Sequence, residues 1–176
     1  MGKRIILLSF VDANLYHNFV SGKAVTGILH FFNKTPIDCF SKLQSTVETA
    51  AFGSEYVAAR TCTEQIIDLQ LTLRYLGVLL EGVSYMFGNN ETVVNTAAQP
   101  HGKLHKRHNA LSYHKTRASI AAGITRFHHV RGDTNPADIL SKHWDAASVI
   151  LQLRPLMFWL EDPSIVVEDE SEEGDG

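Results

Sequence analysis

Three carboxylates stand at element boundaries of this 176-residue chain, and their shared chemistry is oxygen ligation of a hard cation. Asp12 closes the apolar run Ile5 to Val11. Glu55 lies early in a long helical stretch, with the small residues Ala51, Ser54, Ala58 and Ala59 about it, as a helix that must approach a sheet closely would need. Asp138 follows Asn135-Pro136-Ala137, a helix-start signature. Each has an ordinary alternative. Asp12 can merely terminate a strand, Glu55 can be a solvated helix residue, and Asp138 can serve a helix dipole. A further stretch, Phe87-Gly88-Asn89-Asn90, reads on its own residues as a strand ending in a turn.

The elements that would position these groups follow from pattern. Ile5 to Val11 is a nearly continuous apolar run with β-branched residues, the mark of a central strand buried on both faces. Asn14 to Lys23 reads as a loop, Val25 to Phe32 as a second strand and Ile37 to Ser41 as a third, which makes a meander. Ser45 and Glu48 have the spacing of a capping box. Apolar residues then recur from Val47 to Leu76, with Gly77 as the stop and a kink or break expected near Gly53. A strand over Val83–Phe87 follows. Then come a helix over Glu91–Ala98, another from about Asn109 to Ala122, a strand over Ile124–Val130 and a helix from Pro136 through Trp144. A second apolar helix is expected toward Trp159.

The length fits one domain with a real core, set at 1–145, with a helical extension at 146–160 and an acidic, disordered tail at 161–176. The net charge of −3 conceals segregation. The tail holds eight acids and no Lys or Arg, so the rest of the chain carries all 16 basic groups against 11 acids. A mildly basic body suits an anionic partner. Cys39 and Cys62 form no C-x-x-C pair, and reduced, buried thiols are the expectation. No segment has the length of a membrane span. The short apolar start lacks a cleavage site, so the reading is an intracellular protein that is not secreted.

The segments Val11-Asp12-Ala13-Asn14, Gln44-Ser45-Thr46-Val47-Glu48, Ser54-Glu55-Tyr56-Val57-Ala58 and Ala137-Asp138-Ile139-Leu140-Ser141-Lys142, with Leu104-His105-Lys106-Arg107-His108 leading into a helix, occur in order and at sensible spacing. Together they resemble the ribonuclease H domain of Copia-type (Pseudoviridae-like) retrotransposon Pol polyproteins, from about Ile5 to Trp144. The resemblance implies a ribonuclease H-like α/β fold, a five-stranded mixed sheet of order 3-2-1-4-5 with flanking helices. It implies hydrolysis of the RNA strand of an RNA–DNA hybrid by a pair of Mg2+ (or Mn2+) ions about 4 Å apart. Its further implications are a reverse transcriptase domain of the same element as partner, and a place in the cytoplasm (within a virus-like particle) or the nucleus. Carried over position by position, Asp12, Glu55 and Asp138 correspond to three of the family's four metal ligands. The fourth, in an Asp-Asn pair ending strand four, is here Asn89.

Asparagine keeps an oxygen but not the charge, so weakened metal binding and impaired hydrolysis are expected. Between His101 and Arg117 the chain has Lys103, Lys106, Arg107, Lys115, Arg117, four histidines and no acid. Such a run is often a solvated face. Its functional reading is a phosphate-tracking surface whose affinity falls with salt. His128 and His129 in one strand point to opposite faces, and neither His101 nor His143 is singled out for proton transfer. Three readings stay open. The chain is an active or recently active ribonuclease H domain, a non-catalytic hybrid- or RNA-binding module, or a relic without a present role, the last favoured by a start at strand one with no polymerase ahead of it.

Overall fold

The computed structural model describes residues 5–18, 20–80, 82–104 and 107–157. Five strands, β1 (Leu7–Asn18), β2 (Lys23–Phe32), β3 (Thr35–Leu43), β4 (Ser84–Gly88) and β5 (Thr125–His129), form one sheet in the order β3-β2-β1-β4-β5. β1 is antiparallel to β2 and parallel to β4, and β5 continues parallel to β4. The helices are α1 (Ala51–Tyr75), α2 (Glu91–Ala98), α3 (Ala110–Ala121), the single turn α4 (Asp138–Ser141) and α5 (Ala146–Met157). Among the described residues no helix is long and apolar enough to cross a membrane.

β1 is longer than its apolar run, because residues expected in a loop pair with β2. Asn14 lies opposite Val25, and after a register shift Asn18 lies opposite Lys23. Backbone pairing supplies what side-chain pattern does not show, since a polar arm can extend a hairpin beyond the core. β3 is an exposed edge strand, which also corrects the expectation for Cys39: Cys62 is buried and Cys39 is exposed.

One face of the sheet is covered by α1. Leu7, Val11, Ile28 and Met86 pack beneath Tyr56, Ala58, Ala59, Cys62 and Ile66. The alanines let the helix lie close, and Tyr56 spans to α2, its hydroxyl 2.7 Å from Thr96 Oγ1. The expected capping box does not form. α1 begins at Ala51 with no side-chain cap, and it runs unbroken past Gly53. Gln44 instead donates to Thr26 Oγ1 and to the Ser54 carbonyl, both at 2.9 Å, while Glu48 Oε2 meets His108 Nε2 at 3.1 Å. These long-range bonds to buried groups outweigh a local cap of about 1 kcal/mol. At the other end Gly77 is the stop expected of it, and it closes the helix in a Schellman pair: Gly77 (φ 75°) donates to Arg74 O and Val78 to Leu73 O.

α4 lies on the opposite face, and Gly27 permits its approach. A Cβ at Gly27 would sit 2.7 Å from Ala137 O and 2.9 Å from Ser141 N. α4 stops after four residues rather than running to Trp144, because Lys142 is already extended (φ −111°, ψ 157°) and its side chain turns to carboxylates. Trp144 Nε1 donates to Asp138 O at 3.0 Å, closing the turn. Beyond it, Leu153 and Leu156 of α5 line an apolar cavity of about 300 Å³ with Leu29, Ile37, Ile139 and Leu140. The acidic tail and the last residues of the helical extension lie outside the described residues.

Candidate active site

The parallel pairing of β1 and β4 ends with Val11 opposite Gly88, so Asp12, within β1, and Asn89, just past β4, stand side by side. Asn89 Nδ2 donates to Asp12 Oδ1 at 2.8 Å. Glu55, in the second turn of α1, is brought beneath this corner, where its carboxylate bonds the Ala13 backbone. Asp138 opens α4. The turn before it is fixed by Asn135, which is 2% exposed, donates to Val11 O at 3.0 Å and accepts from Ala137 N at 3.1 Å. Asn135 is not the N-cap expected of it, since α4 starts later, at Asp138, with Ala137 in that place and no side-chain cap; it fixes the preceding turn instead and ties it to the strand that bears Asp12.

The three carboxylates that the sequence singled out therefore converge, and all are buried: Asp12 is 1% exposed, Asp138 7% and Glu55 8%. Buried charges require partners. Asp12 Oδ2 accepts from the Ser141 hydroxyl and lies 3.9 Å from Lys142 Nζ. Lys142 Nζ is 2.5 Å from Asp138 Oδ2. Asp138 Oδ1 has no partner. Ser141, Lys142 and Gly27 were not assigned a role from sequence, and Asn135 only that of a helix cap. The i,i+4 spacing of Asp138 and Lys142 was the one readable signal among them.

Burial, then the Asp12 charge, raises the Glu55 pKa well above its ordinary value. Burial also pushes Asp138 up to about 6, with Lys142 opposing and Asp12 adding to the rise. Burial works against the Lys142 ammonium, but its bond to Asp138 and the surrounding carboxylates hold its pKa above the ordinary lysine value. A raised acid binds a proton in the folded state that the unfolded chain has released, so stability falls as pH rises through that window. Glu55→Gln mimics the protonated form. Thermal melts should show it raising Tm at about pH 8, with the gain vanishing near pH 4, where both states hold the proton. A variant less stable than the natural chain at the higher pH would show that the charged carboxylate is a net stabiliser.

The donor chemistry suits Mg2+, since three hard oxygen groups share one corner. The arrangement does not. Asn89 and Ser141 each place a hydrogen on Asp12, and Lys142 covers Asp138 Oδ2. Among the described residues no group of three or more His, Cys, Asp and Glu side chains is disposed to hold a metal ion. As they stand, these residues do not fit a divalent cation.

In the basic stretch, Lys103, Arg107 and Lys115 are exposed, whereas Lys106 lies outside the described residues. Arg117 is used differently from the phosphate contact expected of it. Its guanidinium donates to the carbonyls of Thr96 (2.8 Å), Gln99 (2.7 Å) and Pro100 (3.0 Å) and lies over the Tyr113 ring. It fastens the C-terminal end of α2, a favourable place for a cation. His128 and His129 do face apart: the first lies against Tyr85 and Phe87, and the second is 3.2 Å from the Asn89 carbonyl.

A mixed sheet of order 3-2-1-4-5 with α1 on one face is the ribonuclease H-like fold. LC11-RNase H1 in complex with RNA/DNA hybrid matches 77% of this chain and 93% of its own length, at a TM-score of 0.60 and 21% identity. The N-terminal ribonuclease H domain of a Mycobacterium tuberculosis protein, solved as a fusion with maltose-binding protein, covers 85% of this chain and 97% of its own (TM-score 0.60, 12% identity). A foamy viral protease-reverse transcriptase in complex with RNA/DNA hybrid matches 78% of this chain with 19% of its own length (TM-score 0.51, 14% identity). At these identities the likeness is one of fold. No protein-family model matches the chain.

Proposed function

We propose that this chain is a ribonuclease H-type domain that binds RNA–DNA hybrid or RNA and hydrolyses the RNA strand weakly or not at all. The observation that carries the reading is the corner at Asn89. Three buried carboxylates meet where the family would place four, and the fourth position donates a hydrogen bond instead of offering a charge. The ordered motifs support descent from the Pol polyprotein of a Copia-type element, in which a reverse transcriptase domain would be the natural partner. A reading frame for that polymerase beside the gene is the expected genomic finding. The solved neighbours that hold RNA/DNA hybrid support the choice of ligand.

Lys103, Arg107 and Lys115 supply the phosphate contacts in this reading, and groups facing a hybrid's minor groove would meet its 2′-hydroxyls. Fluorescence anisotropy of a labelled hybrid should show binding that persists in chelator, with little strand scission when Mg2+ is added. Neutralising the three exposed cations together should lower the slope of log affinity against log salt by about 2–3. Absence of salt-dependent binding to hybrid or RNA would overturn the binding role. Robust cleavage by the natural chain would overturn the claim of impairment.

A further inference from the structure

We infer that Lys142 serves as the resident cation of the carboxylate cluster, holding the place that a divalent ion would otherwise take, so that the two aspartates share a positive charge without metal. This deepens the functional reading above and rests on its carboxylate corner. Three of the four carboxylate oxygens of Asp12 and Asp138 face a donor from the chain itself, the Asn89 amide, the Ser141 hydroxyl or the Lys142 ammonium, and only Asp138 Oδ1 lacks one. Lys142 reaches both aspartates, at 2.5 and 3.9 Å, from just past a helix that Gly27 allows against the sheet. An ammonium in that position repels a divalent ion while it holds the acids. A metal must therefore displace Lys142 as well as accept the missing charge at position 89. With its side chain about a third exposed, Lys142 also offers a cation to a phosphate placed at this corner.

Mn2+ binding, followed by the electron paramagnetic resonance signal of the free ion, reads this directly in the natural chain, Lys142→Met, Lys142→Arg, Asn89→Asp and the double variant Asn89→Asp/Lys142→Met. The expected order of affinity is natural chain and Lys142→Arg weakest, each single uncharging or recharging change about 10-fold tighter, and the double variant about 100-fold tighter. Lys142→Arg keeps the charge and guards against a folding artefact. Equal Mn2+ affinity in the natural chain and Lys142→Met would overturn the inference. So would tight Mn2+ binding by the natural chain. In chelator, Lys142→Met should bind hybrid more weakly than the natural chain does, and added Mg2+ should close the gap; an unchanged affinity counts against the role toward phosphate. If the natural chain fails to bind hybrid at all, the functional reading falls while the Mn2+ series still decides the role of Lys142.

Discussion

Asn89→Asp should raise Mg2+-dependent hydrolysis of the RNA strand in an RNA–DNA hybrid by about 100-fold over the natural chain. A unit-charge interaction at 4 Å is worth about 4 kcal/mol at an effective dielectric near 20, and desolvation offsets part of it. About 2.7 kcal/mol surviving into the barrier gives two orders of magnitude. The same change removes the bond from Asn89 to Asp12 and leaves two carboxylates face to face. In chelator the variant should therefore melt below the natural chain, and added Mg2+ should recover the loss by binding the folded state. Equal and robust cleavage by both proteins would remove Asn89 as the cause of any impairment. A Tm indifferent to Mg2+ in the variant would show that the added charge does not recruit the ion.

Gly27→Ala should cost about 1–3 kcal/mol of stability and strip α4 from its seat. The new Cβ would meet backbone on two sides, at 2.7 and 2.9 Å, and backbone cannot step aside as a side chain can. α4 carries Asp138 and Ser141 and leads directly into Lys142, so the substitution should act on the site as well as on the fold. Urea unfolding gives the first effect. The second is read from Trp144 fluorescence, since its indole is anchored on Asp138 O. A variant with natural stability and an unchanged Trp144 signal would show that the strand and turn can part without loss.

Much of this was readable because the patterns involved were long and local in period. The buried run before Asp12, the small residues around Glu55 and the Gly77 stop all reported single elements, and the ordered motifs placed them in one sheet. Two of the misreadings share a cause, since in each the group's partner lies on a segment distant in sequence. Glu48 pairs with His108 rather than capping α1, and Arg117 spends its donors on α2 carbonyls. Lys142 leaves a helix that sequence would have prolonged. Such exchanges require two segments to be in hand at once, which period and spacing do not supply.

The bonds that finish the corner join the two ends of the chain's span. Ser141 reaches Asp12 across 129 residues and Asn135 reaches Val11 across 124. Closing such distant contacts is slow, because loop entropy must be met before they reward it. Until α4 arrives, Asp12 and Glu55 face each other without Ser141 or Lys142. On the ribosome, then, the first strand emerges early and waits for the last turn. A nascent chain halted before residue 142 would carry a nearly whole sheet with an unneutralised acidic end, and proteases should recognise it as unfinished.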